Sequence, residues 1–166
     1  MPDLQAEKKL VLDYLNDINE SNIDSLSEII SKYTSDDFKM RCTHPFNELN
    51  GVEQIANNLW KPMKHSFSPI QRRMDIFYAG INSLDNNEGI WVTSMGHFMG
   101  VFNKPFLGIR PNHKSILLRY AEFYKVENNK ITEGAIFLDI INFMKQLDLS
   151  IIPESTGLIC VTPGPM

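Results

Sequence analysis

Residues 114–149, KSILLRYAEFYKVENNKITEGAIFLDIINFMKQLDL, hold two strand-like runs, a tight polar turn and a short amphipathic helix. Side chains alternate along a strand, so Ile116, Leu118, Tyr120, Glu122, Tyr124 and Val126 share one face of the first run. Glu122 is the only charge on that face. The other face, with Ser115, Leu117, Arg119, Ala121, Phe123 and Lys125, reads as the wetter side. An unpaired carboxylate among apolar residues suffers desolvation, which raises its pKa. A site obtains a general acid or base near neutral pH in this way. The competing reading is a buried ion pair with an arginine such as Arg73 or Arg119, which fixes the sheet and does nothing else.

Outward from this stretch the chain reads as one α+β domain over residues 1–150, with a tail or linker over 151–166. Helical spacing predicts helices over 4–20, where Asp3 can cap the start, and over about 24–33. A short alternating strand, Phe38 to His44, is stopped by Pro45. A third helix follows Asn50-Gly51, with Val52, Ile55, Ala56, Leu59, Trp60 and Met63 on one stripe, and Pro62 is expected to kink or end it. The period then becomes two, giving strands over 70–81 and 90–102 around the turn-rich SLDNNEG. A loop spans 103–113. Strands over 114–127 and 130–138 are joined at Glu127-Asn128-Asn129, and a helix covers about 140–147. Helices first and antiparallel strands after imply a curved, cone-shaped sheet with the helices on one face. A conical cavity between the two would suit a small, mostly apolar ligand.

Composition excludes several classes. The net charge of −4 over 166 residues lacks the basic face of a nucleic-acid binder. No polybasic cluster suits an acidic membrane surface, and no apolar run approaches the ~18 residues that span a bilayer. Two cysteines, Cys42 and Cys160, make neither a disulfide framework nor a zinc site, and the expectation is a reducing cytoplasm. Four scattered histidines add no metal motif. No phosphate-binding glycine loop or G-x-S-x-G elbow is present. The glycines of GHFMG lie within a strand, where they permit a bulge or curvature.

The order of elements, with HPFNELNG at 44–51, GHFMGVF at 96–102, LGIRPNHKSILLRYAEFYKVENNKI at 107–131 and FLDIINFMKQLDL at 137–149, resembles the nuclear transport factor two superfamily. Within it, the SnoaL-like branch of polyketide and ester cyclases is the branch resembled. The last segment is similar to that family's D-x6-QLG ending. The resemblance covers roughly residues 10–150 and implies a cofactor-free, metal-free acid/base reaction on a small carbonyl compound in the cavity. It also implies a homodimer through the open sheet face, to which Phe77, Phe98, Phe102 and Phe123 are candidate contributors. Matched on the Lys130-Ile131 turn, the family's catalytic aspartate falls on Ile136 and its partner histidine on Glu122. Ile136 cannot move a proton, so if the chain is catalytic its acid/base group is relocated, with Glu122 the leading candidate. The loop Gly108-Ile109-Arg110-Pro111-Asn112 departs from the family's G-I-P-P-T.

Candidate catalytic residues are therefore Glu122, Asp139 and His97. Asp139 also stands where a helix N-cap is expected. His97 either shuttles protons beside the carboxylate or is a hydrogen-bonded core residue. Candidate ligand contacts are His44, Trp60, Trp91, Tyr120 and Arg110. His44 ends the first strand on its apolar face, and Arg110 can set a positive charge at the cavity mouth. Two functions stand: a cyclase, isomerase or hydro-lyase, or a non-catalytic module that binds a small apolar or polyketide-like ligand or dimerises.

Overall fold

The computed structural model describes residues 3–83, 89–149 and 151. Most of SLDNNEG, and the tail beyond Ile151 with Cys160, lie outside the described residues. Helices α1 (Gln5–Glu20) and α2 (Leu26–Tyr33) come first, followed by strands β1 (Thr34–Cys42) and β2 (Glu48–Asn50). A long helical run then comprises α3 (Gly51–Ile55), a π-helical turn over Ala56–Trp60, and α4 (Lys61–Ser66). Strands β3 (Phe67–Ile81), β4 (Ile90–Phe102), β5 (Ser115–Glu127) and β6 (Lys130–Leu138) precede α5 (Ile140–Lys145). The six strands form one sheet in the order β2-β1-β6-β5-β4-β3. Among the described residues only the β1–β6 pairing is parallel.

The alternation in β5 decides what faces inward. Ile116, Leu118, Tyr120, Glu122, Tyr124 and Val126 are all buried against the helices, while Ser115, Leu117 and Arg119 are exposed. Helix α1 presents Val11, Tyr14, Leu15 and Ile18 to that face, as the 3.6-residue period requires. Asn128 and Asn129 both take the left-handed conformation that a two-residue hairpin turn needs, at φ 50° and 59°. Leu107 and Gly108 do the same in the 103–113 loop. Phe67, Phe102, Phe106 and Phe143 pack ring on ring and fasten that loop and α5 to the sheet.

Several expectations are corrected. Pro62 does not end the helical run, which goes on to Ser66. The π turn resets the hydrogen-bond register, so Pro62 falls in the first turn of α4, where its missing N–H is not needed. β1 begins at Thr34 and stops at Cys42, so His44 lies beyond it in an exposed turn. The three-residue β2 is too short to show a period. Phe98 and Phe102 cannot serve an outer surface, being 4% and 0% exposed. They share the parity of Ser94 and Gly96 on β4, which faces inward. Phe77 packs against the core, and of the four only Phe123 lies on the outer face.

Candidate functional site

Glu122 lies at the centre of the inner face. Its neighbours in register are Ser94 on β4 and Ile136 on β6. Ile136, the position matched to the family aspartate, is fully buried beside it. Glu122 is 0% exposed, and Arg72 Nη1 donates to its Oε2 at 2.5 Å. The Arg72 side chain is itself only 5% exposed. The guanidinium stacks among Phe98, Tyr120 and Trp60, at 4.6, 4.9 and 5.5 Å from the ring centroids. The partner is thus an arginine, but neither Arg73 nor Arg119. Arg72 stands between Ile70 and Met74 at strand spacing, an apolar flank that marks it as inward-facing.

Burial pushes the Glu122 carboxyl up and Arg72 pulls it back, leaving it above the ordinary glutamate value. Burial works against the Arg72 charge, yet the Glu122 carboxylate holds its pKa up. Tyr14 and Tyr124 are raised by burial and then by the charge of Glu122, so both keep their phenolic protons. Tyr120 is raised by burial too, and its hydroxyl is 3.1 Å from Ser94 Oγ. Five buried polar atoms gather at this pair, with Trp60 Nε1 set toward the Tyr14 hydroxyl and the Tyr124 hydroxyl toward Glu122. They are Tyr14 Oη, Trp60 Nε1, Arg72 Nε, Glu122 Oε1 and Tyr124 Oη. Trp60 enters from the π turn, an irregularity frequent at functional sites. The free space beside Arg72, lined in part by Trp60, Met63 and Phe98, is about 10 Å³.

The other sequence-derived candidates divide among three places. Trp60 and Tyr120 join Glu122. His97 and Trp91 are on the outer face of β4, on the far side of the sheet. There His97 Nδ1 is 3.2 Å from Asp75 Oδ2, and Arg119 Nε is 3.5 Å from His97 Nε2. The structure therefore does not bring His97 to Glu122. His44 and Asp139 line a pocket of about 580 Å³ between the 43–45 turn, the 107–109 loop and α5. Asp139 caps α5, its Oδ1 accepting from the Asn142 N–H at 2.9 Å. Arg110 is exposed next to Ile109 of that pocket. Arg72, Tyr14 and Ser94 were absent from the sequence-derived site. No group of metal-binding side chains occurs among the described residues.

Among solved structures, a provisionally assigned SnoaL-like polyketide cyclase from a Jannaschia species superposes with a TM-score of 0.68 at 14% identity, covering 90% of this chain and 94% of that one. AclR from Streptomyces galilaeus, provisionally assigned as a hydroxylase, gives 0.68 at 17%, over 90% and 86%. IdmH from Streptomyces antibioticus, provisionally assigned as a polyketide cyclase, gives 0.63 at 12%, over 82% and 97%. At such identities these likenesses speak for the fold alone. A search of curated protein sequences found no significant match. The sequence model of the SnoaL-like polyketide cyclases matches residues 9–147. On that match the chain belongs to the SnoaL-like polyketide cyclase family.

Proposed function

We propose that this chain takes a small, mostly apolar carbonyl compound into the interior between helices and sheet and moves a proton on it without a cofactor. The observation that carries this reading is the fully buried Glu122 carboxyl, which burial holds above the ordinary glutamate value, with the polar groups of Trp60, Tyr120 and Tyr124 gathered around it. A carboxyl held above its usual range among hydrogen-bond donors in a buried site is suited to acid/base chemistry. In the proposed step the Glu122 carboxylate takes the proton next to the ligand carbonyl. The electron pair of the broken C–H bond moves onto the carbonyl oxygen. Trp60 Nε1–H and a tyrosine O–H donate to that oxygen, and Glu122 then returns the proton. Arg72 holds the carboxylate in place. The ligand enters by displacing Trp60 or Met63 from around the 10 Å³ gap.

The test is deuterium uptake by acetophenone in heavy water. The native protein should accelerate exchange at the methyl carbon, and Glu122→Gln should lower the rate by about 100-fold. An unchanged rate in a variant shown by circular dichroism to be folded would overturn the reading.

A second reading, a non-catalytic member of the family, is favoured by Ile136 at the aspartate position and by the closed ion pair. In this reading the outer sheet face, with exposed Tyr78, Leu117 and Phe137, pairs with a second copy.

A further inference from the structure

His44 and Asp139 line a cavity that neither Glu122 nor Arg72 reaches. We infer that this cavity is a second ligand site, separate from the interior, and that it takes a small apolar alcohol or phenol. Its volume of about 580 Å³ falls within the range of small-molecule sites. Leu107, Ile109, Leu138, Ile140 and Met144 form its apolar walls. Of the described lining side chains only His44 and Asp139 are ionisable.

The polar groups select the ligand. Asp139 is oriented by its own helix, because Oδ1 accepts from the Asn142 N–H. Its Oδ2 has no partner among the described residues, and the His44 ring makes no hydrogen bond there either. The Thr43 hydroxyl is already used: it accepts from the Leu138 N–H at 2.8 Å and lies 3.5 Å from the Ile136 carbonyl. The site therefore offers one acceptor fixed on a helix end and one imidazole. A hydroxyl carries one donor and two acceptor lone pairs, so it donates to Asp139 and accepts from His44 while its apolar body fills the walls. A carboxylate would be repelled by Asp139, and an ammonium has no lone pair for His44.

The test is an NMR titration of the full chain with para-ethylphenol, with ethylbenzene as the probe lacking only the hydroxyl. Saturable shifts are expected at the backbone amides of residues 43–44, 107–109 and 138–144, with ethylbenzene at least about tenfold weaker. Asp139→Asn keeps the helix cap, since asparagine caps as well as aspartate. It should weaken the phenol about tenfold and leave ethylbenzene unchanged. Ile140→Trp should fill the pocket and abolish both, leaving acetophenone exchange at Glu122 intact. Equal binding of the two probes, indifference to Asp139→Asn, or shifts confined to the residues around Glu122 would each overturn the inference.

Discussion

At the scale of single residues, removing one partner of the buried Glu122–Arg72 pair strands the other charge in the interior, which typically costs about 3–5 kcal/mol. Replacing both with apolar side chains of similar volume is often neutral or stabilising. Glu122→Leu and Arg72→Met should each lower the unfolding free energy extrapolated from urea denaturation by that order, and the double variant should recover most of the loss. Additive losses would show that the two charges are not coupled. The same comparison has a pH signature. The Glu122 pKa is higher in the folded chain than the ordinary 4.5, because burial outweighs the pull of Arg72. Its contribution to stability is then complete below that value and is lost as pH rises through the folded one. The stability of the native chain minus that of the double variant should fall as pH rises from 4.5 and level off once Glu122 is ionised. A rise over that range would contradict the assignment. Cys42 offers an independent check on the interior, because burial pushes its thiol up to about 12. In a Cys160→Ser background, iodoacetamide at mildly alkaline pH should modify it more than tenfold slower than in the urea-unfolded chain, since the thiolate is the reactive form. Comparable rates would mean that Cys42 is not shielded.

At the scale of elements, the glycines of GHFMG explain how a long hairpin curves. β3 shifts register between Met74 and Ile76 and again between Phe67 and Ile70. Gly96 lies opposite the first shift and Gly100 opposite the second. A Cβ on Gly96 would stand 2.0 Å from the Arg73 carbonyl oxygen, a backbone atom that cannot step aside. Gly96→Ala should therefore cost about 3 kcal/mol or more, by the overpacking argument. Gly80→Ala, which meets nothing within 4 Å, should stay near neutral in the same denaturation series. Equal effects would remove close packing as the reason for glycine at 96. These bulges also mark where the sequence stopped being informative. The alternation within β4 and β5 was legible, and it placed His97 with Trp91 and Glu122 with Tyr120 on their respective faces. The relative phase of the two strands was not, because the long 103–113 connection leaves register to packing rather than to turn geometry. His97 and Glu122 therefore looked like partners although the sheet lies between them. Arg72 was missed although Ile70 and Met74 flank it at strand spacing. The π turn at 56–60 left no pattern distinct from an ordinary amphipathic helix ending at a proline.

At the scale of the whole molecule, the outer sheet face carries a row of Ile76, Met95, Ala121 and Phe137 in register across four strands. Tyr78 and Leu117 lie to either side. Phe137 is 56% exposed and Tyr78 54%. The next row is Arg73, His97 and Arg119, with Asp75 bonded to the imidazole. An apolar strip bordered by both signs of charge can match a two-fold copy of itself, since a two-fold interface places the same patch on both partners. Under the second reading proposed above, equilibrium sedimentation should find a dimer at micromolar concentrations, and Phe137→Glu should convert it to monomer. Phe137 points away from Glu122 because its neighbours Ile136 and Leu138 point inward. The acetophenone exchange expected of Glu122 under the first reading should therefore survive the substitution. Native protein that remains monomeric throughout would leave the strip without this partner, and loss of exchange on dissociation would mean that the paired sheet holds the interior in shape.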